Sequence, residues 1–333
     1  MKPYAAYGVG AALVDIEIQV TDAELAAMNV EKGLMTMVDQ ARQRDILTML
    51  SDHLILANRA SGGSAGNSMI ATAMMGAPTY MSCKVAQDAD GDIYLADLEQ
   101  SGVAHRLTER STDDVTGKCI VLITPDAERS LTTHLGVSET LATDEVDETA
   151  IRGSEWVYLE GYLVTSHTGH AAALKTKTLA EAHGVKTAVS FSDPGMVKFF
   201  RDNMAAMVEG GVDLVFCNHS EALEWGQCDD LDTAIEAIKA VTRRFVITLG
   251  AKGAVAWDGD TLHRVAARPV EAVNTNGAGD MFAGAFLYAL SRGETDLRAA
   301  EYATLAAGEV VKCPGPRLER DACLALRRQF FGD

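Results

Sequence analysis

Short apolar segments alternate with longer amphipathic ones along most of this 333-residue chain, and that alternation restricts the possible folds more than any other feature. The short segments have the length of strands, and the longer ones have helical spacing. The pattern is typical of a mostly parallel sheet with helices on both faces. We predict strands at Tyr4–Gly10, Thr79–Val85, Trp156–Leu159, Lys186–Phe191, Asp213–Cys217, Phe245–Leu249 and Ala254–Asp258. We predict helices at Ala65–Met75, Asp92–Gln100, Gly169–His183, Leu231–Val241, Asp280–Ser291 and Leu297–Val311.

Two regions depart from this rhythm. Asp15–Thr21 alternates polar with apolar residues, and Lys32–Asp39 is short and mixed. Lys118–Thr124 and Arg129–Thr133 have the pattern of a hairpin around the turn P-D-A-E. Such strands suit a small sheet with one face open to solvent. We expect an accessory lid formed by about 15–39 and 104–134, within a single domain that spans residues 1–333.

The charge and hydropathy of the chain exclude some classes of function. The formal net charge is −18, which argues against nucleic acid and against an anionic membrane surface as partners. No apolar segment has the roughly 18 residues that a membrane span needs. The first residues have the pattern of a strand, not of a signal peptide, and the six scattered cysteines suggest no disulfide framework. These features predict a cytoplasmic protein.

The stretch NTNGAGDMFAGAFLYAL, residues 274–290, places two glycines and a carboxylate directly before a long apolar helix. Glycines leave the backbone N–H groups uncovered, and the helix start adds the positive end of its dipole. The backbone from Gly277 to Asp280 could therefore bind an oxyanion or a phosphoryl oxygen. We expect Asp280 at or near the N-cap. A simple cap would explain an aspartate, but a base that accepts a proton from an attacking hydroxyl also explains the glycines.

A second motif, ASGGSAGNSMIATAMMGA, covers residues 60–77. A glycine pair, then Asn67, then a helix of small residues allows close approach of the backbone and directs an amide into a cleft. A tight turn that caps a buried helix is the alternative.

Together, these two motifs resemble the signatures of the ribokinase-like (PfkB) family of carbohydrate and nucleoside kinases. Gly62, Gly63 and Asn67 match G-G-x-x-x-N, and Thr275-Asn276-Gly277-Ala278-Gly279-Asp280 matches most of D-T-x-G-A-G-D. The resemblance covers essentially the whole chain. It implies a three-layer α/β/α fold with a mostly parallel central sheet and a small β-sheet lid. The segment GVGAALVDIEIQV is similar to the N-terminal part of the adenosine kinases within the family.

The resemblance implies roles for particular residues. Asp280 would be the catalytic base, and Gly277, Ala278 and Gly279 would form the anion hole. Arg129, in AERSL, corresponds to a lid arginine that reaches the transferred phosphoryl group. An ordinary surface arginine beside a turn is an equal alternative.

On the acceptor side, Asp15, Gly63 and Asn67 would bind sugar hydroxyls, and Tyr162, in EGYLVT, would stack on a base. The second stacking position of the adenosine kinases falls in SFSDPGMV, near Gly195, and has no aromatic residue on it. Met35 and Met37 are either lid contacts for the substrate or ordinary core residues.

On the donor side, CNHSEA matches N-x-x-E, so Asn218 would bind ATP and Glu221 would hold Mg²⁺ through water. TLGAKGA matches T-x-G-x-x-G, so Thr248, Gly250 and Gly253 would line the ATP site. Position 274 is Asn where the family usually has an aspartate that helps to bind a monovalent cation. Activation by K⁺ is therefore an open alternative, not an expectation.

From this resemblance we expect a Mg²⁺-dependent kinase that transfers phosphate from ATP to the primary 5′ hydroxyl of a nucleoside. Adenosine, converted to AMP in purine salvage, is the first candidate. The alternatives are a kinase of ribose, fructose or a related ketose, a kinase of another nucleoside, or a catalytically silent ligand-binding regulatory protein. The protein would bind small molecules as a monomer or a homodimer.

Overall fold

The computed structural model describes residues 2–53, 58–106 and 110–332. The strands are β1 Tyr4–Val9, β2 Leu13–Gln19, β3 Met35–Met37, β4 Asn58–Gly62, β5 Thr79–Ser82, β6 Val103–His105, β7 Thr116–Ile123, β8 Arg129–Gly136, β9 Ser154–Glu160, β10 Lys186–Ser190, β11 Leu214–Asn218, β12 Phe245–Thr248, β13 Ala254–Trp257 and β14 Leu262–Val265. The helices are α1 Asp22–Ala27, α2 Gln40–Met49, α3 Ser64–Met74, α4 Ala89–Ser101, α5 Glu148–Arg152, α6 His167–Ala182, α7 Pro194–Phe199, α8 Arg201–Val208, α9 His219–Gly226, α10 Leu231–Lys239, α11 Ala278–Ser291, α12 Asp296–Val310 and α13 Arg320–Phe331.

Among the described residues, nine strands form one large sheet in the order β14-β13-β12-β11-β10-β9-β1-β5-β6. From β6 to β12 every neighbouring pair is parallel, and only β13 and β14 join in antiparallel fashion. The predicted mostly parallel sheet is confirmed. The antiparallel end forms because short turns, not helices, connect β12, β13 and β14.

Helices cover both faces of this sheet. Successive residues of a strand point to opposite faces, so Val157 and Tyr158 of β9 belong to two separate apolar clusters. Helices α3, α11 and α12 pack on the face of Tyr158, while α6, α8 and α10 pack on the face of Val157. The fold is therefore a three-layer α/β/α sandwich, as the resemblance implied.

In the part of the chain that the structure describes, five strands form a second, smaller sheet in the order β3-β8-β7-β2-β4. The predicted hairpin is present as β7 and β8, and β2 pairs in parallel with β7. Strand β4 lies outside the two segments expected for the lid, and β6 belongs to the large sheet. That this sheet acts as a lid within a single domain stays a prediction.

The expectation that one face of the small sheet is open to solvent is wrong. Helices α1 and α2 cover the outer face, where Ile16 and Ile18 are buried with Leu25 and Ile46. On the opposite face Asp15 and Glu17 are also buried. The alternation in the sequence is real, but its polar side faces the interior of the protein, where Asp15 and Glu17 are buried.

The order of strands reverses between β1 and β9, since the chain proceeds outward from β1 to β6 and then from β9 to β14 on the other side. Ligands of open α/β sheets bind outside the carboxyl ends of the strands at such a reversal. The end of β1 leads into β2 of the small sheet, so the small sheet begins next to this point. No helix within the described residues is long and apolar enough to span a membrane.

Candidate active site

Helix α11 begins at a glycine that no other residue could replace without strain. Gly277 is the N-cap, with a φ of 73° in the left-handed region. A Cβ added there would lie 2.0 Å from the carbonyl oxygen of Pro316. Asp280 is therefore the third residue of the helix and not its cap, because only glycine fits the conformation and the close approach that the cap requires.

The first turn of α11 leaves backbone donors available. Within the described part of the chain, the N–H groups of Gly277, Gly279 and Asp280 have no hydrogen-bond acceptor. Gly279 adds no side chain over them, and nothing lies within 4 Å of the position where its Cβ would be. The helix dipole adds positive potential at the same place. This turn can bind an anion.

Two side chains from the start of α3 orient the Asp280 carboxylate. The hydroxyl of Ser64 donates to Oδ1 at 2.7 Å, and Nδ2 of Asn67 donates to Oδ2 at 3.0 Å. Burial raises the pKa of Asp280, whereas these two hydrogen bonds and the charges of Arg129 and Arg317 oppose that rise. The carboxylate is thus held in one orientation, with lone pairs left to accept a proton.

Asp15 lies on the inner face of the small sheet. Burial, and then the neighbouring charge of Glu17, raise the pKa of Asp15 to about 7. The strand register places Cys119 of β7 beside it, then Thr133 of β8, then Met37 of β3. All four side chains line the cavity described below, so a polar group at one end of this row continues into a largely apolar wall.

Glu160, at the end of β9, is fully buried. Its carboxylate accepts hydrogen bonds from the N–H groups of Ala11 and Ala65, both at 2.7 Å. Burial raises its pKa to about 7 despite these two bonds. Glu160 therefore joins the β1–β2 connection to the first turn of α3 and fixes the position of Gly63 and Ser64 between them.

At the other end of the cavity, Asn218 and Glu221 form a reciprocal capping box at the start of α9. The N–H of Asn218 donates to Glu221, and the N–H of Glu221 donates back to Asn218, both at 2.9 Å. Burial raises the pKa of Glu221 to about 8, while the hydrogen bond from Asn218 and the positive charge of Arg129 oppose the rise. Arg129 lines the same cavity, and its positive charge opposes the rise in the pKa of both Glu221 and Asp280.

One cavity of about 460 Å³ brings nearly all the predicted site residues together. Those that line it are Asp15, Gly63, Asn67, Arg129, Tyr162, Asn218, Glu221, Thr248, Gly250, Gly277, Ala278, Gly279 and Asp280. Gly253 does not line it. At Gly253 φ is 95°, and a Cβ would lie 1.9 Å from the carbonyl oxygen of Val265, so this glycine shapes the turn between β12 and β13.

The small sheet reaches the glycine-rich turn through its hairpin. The hydroxyl of Thr275 donates to the carbonyl oxygen of Ala127 at 3.1 Å. Ala127 lies in the turn between β7 and β8 and has a φ of 63°, which is uncommon for a residue with a side chain. The tip of the β7–β8 hairpin therefore contacts Thr275, two residues before Gly277.

Sequence reasoning did not identify Ser64, Glu160 or Glu17 as site residues. Ser64 lies between the predicted residues Gly63 and Asn67, so the motif itself was the available signal. The partners of Glu160 are far away in sequence, and no local pattern connects them.

A glycine-rich helix start beside an oriented carboxylate, at the carboxyl ends of a parallel sheet, is suited to moving a phosphoryl group onto a hydroxyl. The comparisons with known proteins agree with this class: the protein is an ATP-dependent kinase. The model of the pfkB family carbohydrate kinases matches residues 37–323, and the chain belongs to that family.

Three proteins that are similar to this chain are named as sugar or adenosine kinases. A probable sugar kinase from Rhizobium etli CFN 42 has 31% sequence identity and a TM-score of 0.93, covering 100% of this chain and 99% of the other. The adenosine kinase from Sinorhizobium meliloti has 31% identity and a TM-score of 0.92, covering 98% and 99%. The adenosine kinase of Saccharomyces cerevisiae is 27% identical over 307 residues, which is 86% of this chain and 88% of that protein.

Proposed function

We propose that this kinase phosphorylates the primary 5′ hydroxyl of a nucleoside, with adenosine as the first candidate. The observation that carries the proposal is the row on the small sheet that begins at Asp15 and continues through Cys119 and Thr133 to Met37. Asp15 suits the hydroxyls of a ribosyl group. The wall formed by Cys119, Thr133 and Met37 suits a flat, apolar group such as a nucleoside base. A free sugar has no such group.

In this proposal Asp280 accepts the proton of the acceptor hydroxyl as the new O–P bond forms and the bond to ADP breaks. The N–H groups of Gly277, Gly279 and Asp280 bind the oxygens of the phosphoryl group in transit. Arg129 neutralises charge between the two ends of the cavity. Asn67 contributes twice, because its Nδ2 holds Asp280 and its Oδ1 is buried without a partner in the described structure. That oxygen is available to a substrate hydroxyl.

The residues near Glu221 fit Mg²⁺ better than a metal that needs a protein cage. No group of three or more His, Cys, Asp or Glu side chains within the described residues is arranged to hold a metal. Mg²⁺ retains several waters and binds through one or two carboxylates together with substrate phosphates. Glu221 and Asn218 would hold it in this way, where it would neutralise phosphate charge. Thr248 and Gly250 would contact ATP. The scattered cysteines lead us to place the protein in the cytoplasm.

The test is ADP release with Mg²⁺-ATP and each of adenosine, inosine, guanosine, cytidine, ribose and fructose, with and without K⁺. Turnover on nucleosides but not on ribose or fructose supports the proposal. Turnover on a free sugar with none on nucleosides overturns the acceptor and supports the second candidate, a sugar kinase, which the 31% identical probable sugar kinase favours. Binding of adenosine and ATP without any turnover would support the regulatory alternative.

A further inference from the structure

Glu17, on β2, is a buried carboxylate that has no part in the proposed transfer. It is 7% exposed and lies on the same face of its strand as Asp15. Its Oε1 accepts hydrogen bonds from Nδ2 of Asn274 and Nδ2 of Asn276, both at 3.0 Å. Its Oε2 accepts one from the N–H of Gly315 at 2.9 Å. All three donors are neutral.

These three donors surround the glycine-rich turn. Asn274 and Asn276 lie on either side of Thr275, and Oδ1 of Asn274 also accepts the N–H of Asn276 at 2.8 Å. Gly315 precedes Pro316, whose carbonyl oxygen packs against Gly277. The Glu17 carboxylate therefore connects Asn274 and Asn276, which precede Gly277, with the Gly315–Pro316 segment that packs against Gly277.

Burial of a carboxylate without a cationic partner is costly, and a well-packed apolar residue would stabilise the protein more. Within residues 2–53, 58–106 and 110–332, no lysine, arginine or histidine forms an ion pair with Glu17. Three hydrogen bonds from one small region instead compensate the cost. Such an arrangement fixes geometry. Fixed donors are what phosphoryl transfer requires, because they need no reorganisation when charge develops.

We infer that Glu17 is a positioning residue that holds the glycine-rich turn in the shape that binds the transferred phosphoryl group. The inference rests on the proposed role of Gly277 and Gly279 in binding that group. Glu17 acts through Asn274, Asn276 and Gly315 and contacts neither substrate nor phosphate.

The main test compares Glu17→Gln with the wild type, and Glu31→Gln is the control because Glu31 is exposed in the loop between α1 and β3. The glutamine places an N–H₂ group against at least one of the three donors. We expect kcat to fall about 10- to 100-fold while the KM for ATP and for the acceptor changes by less than about threefold. The control keeps wild-type kinetics.

A second readout does not depend on turnover. Amide hydrogen exchange of the peptide that covers residues 274–280 reports how firmly the turn is held. We expect it to be several-fold faster in Glu17→Gln than in the wild type, with little change elsewhere. If Glu17→Gln does not fold, Asn274→Ala replaces it in both measurements, because that change removes one donor and leaves the carboxylate its other two.

A charge exchange makes the test sharper. In the double variant Glu17→Gln with Asn274→Asp, the amide and the carboxylate trade places, and the hydrogen bond between positions 17 and 274 reverses direction. We expect kcat of the double variant to exceed that of Glu17→Gln by about tenfold. If Glu17 only stabilised the fold, the double variant and Glu17→Gln would have the same kcat whenever their melting temperatures were equal.

Two results would overturn the inference: wild-type kcat together with wild-type exchange in Glu17→Gln and Asn274→Ala, or a change confined to the KM values. The proposed function fails separately, if the wild type transfers phosphate to no acceptor in the panel. Hydrogen exchange of the turn then still decides whether Glu17 holds it.

Discussion

Helices α9 and α11 both begin at the cavity, and both carry a carboxylate as their third residue, yet their first turns are built differently. Glu221 of α9 turns back to its own cap, and Asn218 and Glu221 satisfy each other. The cap of α11, Gly277, has no side chain, and Asp280 turns away to Ser64 and Asn67 of another helix. The two helix starts thus differ in whether the carboxylate of the third residue accepts a hydrogen bond from its own helix start or from another helix.

This difference determines what each helix start can do. A capping box occupies N–H groups of its own first turn, whereas a glycine cap with the carboxylate held elsewhere leaves them for a ligand. The structure therefore favours anion binding at α11 and a supporting role for the carboxylate at α9. Five substitutions, with the two at glycine taken as a pair, test this difference.

The largest effect is expected from Asp280→Asn, which removes the proposed base and preserves the shape of the side chain. We expect kcat to fall about 1,000-fold, within the usual range for loss of a general base, with ATP affinity nearly unchanged. Single-turnover kinetics and ATP titration measure the two quantities. Turnover near that of the wild type would show that another group accepts the proton and that the contrast between the helices has no catalytic meaning.

Next in size are two glycine substitutions within the same turn. Gly277→Ala forces a side chain into the left-handed region and against Pro316, so we expect a loss of about 1–3 kcal/mol in the free energy of unfolding. Gly279→Ala has open space around the new Cβ and should leave stability unchanged or slightly higher.

The same Cβ at position 279 would occupy the proposed phosphoryl site. We therefore expect kcat/KM of Gly279→Ala to fall about 10-fold or more without loss of melting temperature. Denaturant unfolding and steady-state kinetics on both variants separate the effects. Full activity in Gly279→Ala would contradict an anion site at α11.

The third change concerns stability and pH at α9. Burial raises the pKa of Glu221 from its ordinary 4.5 to about 8, so the folded protein binds this proton more tightly than the unfolded chain does. The contribution of this protonation to the free energy of unfolding is fully present below pH 4.5 and is lost as the pH rises through 8. In metal-free buffer, Glu221→Gln should match the wild type near pH 4.5 and have the higher melting temperature at pH 8.5. Equal melting temperatures at both values would mean that Glu221 is not destabilised by burial.

The smallest effect is expected from Ser64→Ala. The hydrogen bond from Ser64 lowers the pKa of Asp280, so its removal raises that pKa and moves the acid limb of the kcat/KM profile to higher pH. Ser64→Thr keeps the hydroxyl and should keep the profile. Ser291→Ala, at the far end of α11, serves as the control. An unshifted acid limb in Ser64→Ala would separate the serine from the base.

The sequence contained enough information for the fold and for the local part of the site. Hydrophobic periodicity indicated the three layers, and glycines adjacent to Asp280 indicated the turn. Each of these signals could be recognised because its residues lie only a few positions apart in the chain. What joins the site together is not local: Ser64 and Asp280 are separated by 216 positions, and Glu17 and Asn274 by 257. Without homologous sequences, no pattern in one chain connects such partners.

The polar face of β2 illustrates the same limit from another side. Alternating Asp15, Ile16, Glu17 and Ile18 correctly indicated a strand with two unlike faces. The periodicity of a strand does not distinguish bulk water from a buried cavity, since both favour polar side chains. Only the packing of α1 and α2 on the isoleucine face shows which environment each face meets.

The row that runs from Asp15 to Met37 has a consequence for how such enzymes diversify. Strand β2 carries Asp15 and Glu17, while Thr133 and Met37 lie two and three strands farther out. In the proposed function, changes at Thr133 and Met37 would therefore alter which acceptors bind, while Asp280 and Arg129, which act in the transfer, stay in place. Under that proposal, a duplicated copy of the gene would acquire a new acceptor by mutation at these two outer positions and remain an active kinase.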